Sequence, residues 1–139
     1  MELSDFISRL GCAILAGAVI GFERQWHQKS AGLRTNTLVA LGAALYVLIS
    51  IQMTDGSGDV TRIIGQIVTG VGFLGAGVIM RNGTNVHGLT TAATVWCSSA
   101  IGCLAGSGLF IETAISATII VFLNSSLLIL DNWLKKRRG

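Results

Sequence analysis

The chain contains no proline and little charge: only 12% of its 139 residues are Asp, Glu, Lys or Arg. A soluble domain carries about 25%, so an ordinary water-soluble fold is excluded. With proline absent, glycine is the main helix-weakening residue, and there are 18 of them. In water that would be a liability. In lipid, glycine lets helix backbones approach closely. Cysteine is also sparse. Cys12, Cys97 and Cys103 lie inside apolar stretches without C-x-x-C spacing. They read as buried free thiols rather than a zinc site or a disulfide framework. Glu2 and Asp5 stand where a cleaved signal peptide would carry a basic region, so none is expected.

What is present is apolar: 51% of the residues are hydrophobic. Five spans are predicted, over about residues 6–22, 34–53, 63–80, 89–105 and 109–130. The expected fold class is therefore an all-α polytopic membrane protein. One membrane domain covers 1–139, and 131–139 form a basic cytoplasmic tail. Residues 54–59 and 81–85 read as turns. The basic residues sit at the edges of the spans, so the net charge of +3 marks orientation, not nucleic-acid binding. Arg24, Lys29, Arg34, Arg81 and the tail fall on one side, which places the N-terminus outside and the C-terminus in the cytoplasm.

One pattern is written twice. A small-residue apolar stretch ends at Gly21 and restarts with Gly32-Leu33-Arg34-Thr35. A second ends at Gly77 and restarts with Gly88-Leu89-Thr90-Thr91, after an equal step. This reads as two parallel-repeat helical hairpins plus one extra helix, with the polar residues at the matched turns as the functional surface. Thr35 and Thr91 are placed to cap the free N–H groups of their helices. Those helix ends also favour anions. Glu23 and Arg34 are placed to pair across the first connector, the competing reading being that the basic residues there simply hold anionic lipid.

Two small-residue stripes mark packing faces. Gly17 and Gly21 with Ala13 lie on span one. Gly65 and Gly72 with Thr69 and Ala76 lie on span three. Internal packing is expected for span three, and both internal and intermolecular packing stay open for span one. Asn124, Ser125 and Ser126 lie deep in span five, where polar groups bond neighbouring helices. Glu112 reads as an interfacial acid. Asp55 and Asp59 flank an outer loop and are considered, without a third acid, as a weak Mg²⁺ pair. Gly70-Val71-Gly72-Phe73-Leu74-Gly75 has the dinucleotide spacing but sits inside an apolar helix, which excludes that use. His27 and His87 form no catalytic spacing. No cofactor or catalytic site is expected, and the span interiors lack the ionisable residues of an ion pathway.

The ordered strings Ala18-Val19-Ile20-Gly21-Phe22-Glu23-Arg24-Gln25, Ala31-Gly32-Leu33-Arg34-Thr35-Asn36, Gly70 to Arg81, and Gly88 to Cys97 resemble the MgtC/SapB membrane proteins. The resemblance covers nearly the whole chain. It implies a bacterial inner-membrane protein linked to growth at low Mg²⁺ and to intracellular survival of pathogens. It further implies regulation of other membrane complexes, such as the F-type ATP synthase, and control by small single-span peptides. The alternative is a transporter or channel for Mg²⁺ or another ion. Carried onto this chain, the residues implied as functional are Glu23, Arg24, Arg34, Thr35, Asn36, Asn85, Thr90, Thr91, Trp96 and Cys97. A homodimer and bound membrane lipid are expected as well. Members of this family usually carry a soluble ACT-like domain after the membrane part; this chain, ending at Lys135-Lys136-Arg137-Arg138-Gly139, is expected to lack it.

Overall fold

The computed structural model describes residues 1–54 and 59–138. Five helices account for nearly all of it: α1 Leu3–Trp26, α2 Leu33–Met53, α3 Val60–Val78, α4 Leu89–Gly106 and α5 Phe110–Arg138. Each is long and apolar enough to cross a membrane. The count of five agrees with the expected fold class, and α1 and α5 run past the apolar stretches into flanking charges. α5 departs most. The expected tail continues as helix, held by Lys135 Nζ to Asp131 Oδ2 at 2.7 Å and by the Arg137 guanidinium 4.2 Å above the Trp133 ring. Both are i,i+4 contacts, which support an exposed helix end.

The turn expected at 81–85 is the tip of a small β-hairpin, β1 Met80–Asn82 and β2 Asn85–His87. The two-residue loop opens with Gly83 at φ 62°, the conformation a tight hairpin asks of its first central residue. Span three consequently ends at Val78, not Met80. Asp59 caps α3, accepting from the Thr61 amide at 3.0 Å. The Thr61 hydroxyl and amide hold its carboxyl below the usual carboxylate range. The remainder of the expected 54–59 turn, including Asp55 and so the proposed acid pair, lies outside the described residues, as does Gly139 of the tail.

α4 is the centre of the bundle and touches all four other helices. Its packing is set by small residues. Ser98, Gly102 and Gly106, one turn apart, face Asn36, Ala40 and Ala44 of α2 in matching order, so these two helices run parallel. α1 crosses α2 in the opposite direction, with Gly17 against Ala40 and Asn36, and Gly21 against Leu33. A methyl group on Gly17 would lie 2.9 Å from the Ala40 side chain, and one on Gly21 only 2.6 Å from the Leu33 backbone. These contacts need glycine. Gly65 and Gly72 behave otherwise. Neither has anything within 4 Å of its Cβ position. The internal packing expected of the span-three stripe is therefore not found: α3 turns Val71 and Gly75 inward and leaves the stripe outside.

The duplicated pattern does not produce duplicated environments. Gly21 is buried but Gly77 is exposed; Thr35 is exposed but Thr91 is buried; Ala44 is buried but Ala100 is exposed. The two hairpins have different neighbours. α2 lies between α1 and α4, whereas α3 has a single extensive partner, α4.

Candidate functional site

α1 ends just past Trp26 without a glycine. Lys29 N–H donates to Arg24 O at 2.9 Å and Gln28 N–H to Gln25 O at 3.0 Å, while Gln28 itself adopts φ 53°. This paired closure normally uses glycine at the left-handed position. It turns the chain sharply and leaves Glu23 and Arg24 pointing into the bundle at its basic end. Eight of the ten Lys and Arg residues belong to the segments that meet there.

Arg24 is only 3% exposed. Its Nη2 donates to Thr91 Oγ1 of α4 at 2.6 Å and to Ser30 O at 3.2 Å. Glu23 is 9% exposed. Its Oε1 accepts from Ser125 Oγ of α5 at 3.3 Å and faces His27 Nε2 at 3.6 Å. Asn124 Nδ2 reaches Thr94 Oγ1 of α4 at 3.5 Å. The neighbour-helix bonds expected from the deep polar group of α5 are thus made by Asn124 and Ser125. Together these side chains tie α1, α4 and α5 around a cleft of about 490 Å³.

The side chains expected to cap helices do other work. The N-caps of α2 and α4 are Gly32 and Gly88, and neither helix receives a bond from its own cap side chain. Thr35 is exposed at the groove between α2 and α3, and Thr91 is taken up by Arg24. The cap of α2 comes from α1 instead, where Gln25 Oε1 accepts from Leu33 N–H at 3.2 Å. Gly88 has φ 87°, and a Cβ there would overlap the Val78 carbonyl oxygen. The second matched glycine is therefore dictated by a chain crossing as well as by a turn.

The expected Glu23–Arg34 pair is absent. Arg34 is exposed and forms no ion pair among the described residues, whereas Glu23 is buried. Asn36 is fully buried. Its Nδ2 donates to Ala31 O at 2.5 Å and to Gly32 O at 2.9 Å, and its Oδ1 accepts from Ser98 Oγ at 2.8 Å. Ala31 stands at φ 54°, a conformation a β-carbon disfavours, so Asn36 clamps a strained turn. Thr90 lines the cleft beside Thr91. Asn85 lies apart on the exposed hairpin, Trp96 is 53% exposed on the outside of α4, and Cys97 is half-buried. The structure therefore gathers Glu23, Arg24, Thr90 and Thr91 at the cleft, sets Asn36 behind it, and separates Arg34, Thr35, Asn85, Trp96 and Cys97 from it.

Arg9, at the opposite end of the bundle, is not among the residues expected to matter, yet it fixes a helix end. Its Nη1 donates to Gly106 O at 3.0 Å and its Nε to Asp5 Oδ1 at 2.9 Å, closing the C-terminus of α4 where a cation is favoured. The cation at this helix end comes from 97 residues away along the chain, so no local spacing announces it.

Asn36 and Ser98 give a graded expectation. An interhelical side-chain bond in membranes is worth about 0.6 kcal/mol on average, so Ser98→Ala loses about that much. Asn36→Ala also frees two turn carbonyls beside a strained alanine, and is expected to cost about 2 kcal/mol. Detergent-denaturation midpoints of the two variants check the order. Equal losses would show that the Asn36 turn contacts contribute nothing.

Five membrane-length helices packed by small residues, with buried polar side chains at one end, define a multi-pass α-helical membrane protein. The chain belongs to the MgtC family, which matches residues 10–133. It is 56% identical over 128 residues to Protein MgtC of Salmonella typhimurium, covering 92% of this chain and 54% of that protein. It is 52% identical over 118 residues to Protein MgtC of Brucella abortus, covering 85% and 49%. An uncharacterized protein of Synechocystis sp. is 50% identical over 127 residues, covering 91% and 54%. The chain spans about half the length of these curated relatives. No solved structure matches it.

Proposed function

We propose that this chain is the membrane part of an MgtC-like regulator that supports growth at low Mg²⁺ and intracellular survival by docking on other membrane proteins. Complexes such as the F-type ATP synthase, and small single-span peptides, are the partners this reading names. It places the protein in a bacterial inner membrane, N-terminus in the periplasm and C-terminus in the cytoplasm, and it assigns no catalysis. A homodimer would use the same kind of contact.

The observation that carries the reading is the open face of α3. Gly65, Thr69, Gly72 and Ala76 lie outward with nothing of this chain upon them. In lipid, helices associate through close packing at small residues, so such a face suits a transmembrane partner. Supporting it, the buried charged side chains among the described residues are Glu23 and Arg24, both at one end of the bundle. A continuous ion path would place ionisable groups along the interior.

The double variant Gly65→Leu and Gly72→Leu tests this. It is expected to fold normally, since both sites are open, and to lose at least about tenfold of the partner that co-purifies from Mg²⁺-starved cells. Undiminished partner recovery with normal growth at low Mg²⁺ would refute docking through α3. Protein-dependent ion flux in liposomes would favour the transporter alternative.

A further inference from the structure

The cleft at the basic end holds two unmet demands of opposite sign. Among the described residues, three buried side-chain polar atoms lack a hydrogen-bond partner: Glu23 Oε2, Arg24 Nε and Thr37 Oγ1. Two of the three belong to neighbouring residues that line this one cleft. Both residues are buried, Glu23 at 9% and Arg24 at 3% exposure, and no side chain or backbone group of the described residues meets these two atoms. An orphaned carboxylate oxygen calls for a donor, and an orphaned guanidinium N–H calls for an acceptor.

A third demand lies beside them. α4 starts in the cleft wall at Gly88, and its N-cap supplies no side chain to the first-turn amides. Free first-turn N–H groups and the helix dipole favour an anion with several oxygens. Lys29 stands at the rim, and the Thr90 side chain lines the same wall. The rim acid Asp131 is already engaged by Lys135 at 2.7 Å, so it does not cancel this positive lobe.

The remaining wall is apolar: Leu89 of α4 with Leu123, Leu127 and Leu128 of α5. The cleft thus combines an anion-seeking lobe, a cation-seeking atom and a leucine-lined side. It sits at the ends of membrane-spanning helices, the depth of lipid headgroups. A simple inorganic anion would leave Glu23 Oε2 unmet and would sit beside its charge. A simple cation would leave Arg24 Nε and the helix terminus unmet.

We propose that this cleft binds a phosphoethanolamine group, held as the headgroup of a phospholipid. Its phosphate sits at the α4 N-terminus between Arg24, Lys29 and Thr90. Its primary ammonium donates to Glu23 Oε2, and the start of an acyl chain lies along the α5 leucines. Glu23 is the specificity residue, because a primary ammonium carries N–H donors while a quaternary one does not. A lipid so placed would bridge α1, α4 and α5 across the gap that the protein's own side chains leave open.

The test uses the whole chain in nanodiscs of one composition, an equal mixture of phosphatidylethanolamine, phosphatidylcholine and phosphatidylglycerol. Lipid retained after detergent release is counted by native mass spectrometry. The wild type is expected to retain phosphatidylethanolamine at least about tenfold over phosphatidylcholine, the lower end of the value of one charge-assisted hydrogen bond. Glu23→Gln is expected to reduce that preference about fivefold while keeping the overall lipid count. Lys29→Gln, at an exposed rim position, is expected to lower retention without changing the preference. Free phosphoethanolamine and inorganic phosphate are added as competitors to separate the sources. Displacement only at concentrations far above the lipid's supports a lipid headgroup. Displacement by free phosphoethanolamine at matched concentration overturns the lipid source. Equal retention of all three lipids, a preference for phosphatidylglycerol, or a preference unchanged in Glu23→Gln overturns the proposal.

Discussion

Gly102→Leu is expected to cost about 3 kcal/mol or more, the upper end of the overpacking range, and to separate α2 from α4. A β-carbon at Gly102 would overlap the Ala40 carbonyl oxygen and lie 2.8 Å from the Ala43 Cβ. The first obstacle is backbone, so no side-chain rotation relieves it. The whole of α2 must shift. That shift propagates one turn in each direction, to Gly106 against Ala44 and to the Ser98–Asn36 hydrogen bond of 2.8 Å. Gly42→Leu is the matched control, because nothing lies within 4 Å of its Cβ position, and it should change stability by less than about 0.5 kcal/mol. Both are read from detergent-denaturation midpoints. Similar midpoints for the two variants would show that the α2–α4 approach is not what holds the bundle.

The second large effect is expected at Arg24. Arg24→Leu removes the donor to Thr91 and Ser30 and leaves the adjacent, buried Glu23 without a neighbouring positive charge. Removing one member of a contacting buried ion pair costs about 3–5 kcal/mol, mostly as the penalty on the charge left behind. Glu23 and Arg24 are neighbours without ion-pair contact, so a loss near the lower end, about 3 kcal/mol, is expected. The double variant Arg24→Leu with Glu23→Gln should therefore be at least about 1 kcal/mol more stable than Arg24→Leu alone. A loss caused only by packing or by the missing Thr91 bond would not be recovered this way. A double variant no better than the single would dismiss the electrostatic account of this pair.

Much of the architecture was legible because its signals are one-dimensional. Runs of apolar residues placed five spans, and the glycine and charge breaks placed their connectors. The errors came at ends and turns. The α5 extension rests on Asp131–Lys135 and Trp133–Arg137, pairs that matter only once a helix is assumed. The 80–87 hairpin is too short for alternation to announce it. Gln28 closes α1 at a left-handed position usually marked by glycine, so no residue type signalled it.

Of the candidate site, Glu23, Arg24, Thr90 and Thr91 were found as polar residues at matched turns, but their wiring was not. The sequence offered Arg34 as the partner of Glu23, being close along the chain. The structure gives Glu23 to Ser125, 102 residues away, and Arg24 to Thr91, 67 residues away. Gly65 and Gly72 looked like packing residues as strongly as Gly17 and Gly21 did.

By itself, then, the sequence determined the class of fold, the number of spans and the end of the bundle where polar side chains collect. Hydropathy, turn residues and the spacing of glycines suffice for these, since each is a property of a segment. Only the tertiary structure decided which glycines touch backbone, which face of α3 stays open and which residues meet Glu23 and Arg24. In lipid, the outside of a helix is as apolar as its packed side. No periodicity therefore distinguishes inward from outward, and the rotation of each helix is fixed only by the shape of its neighbours.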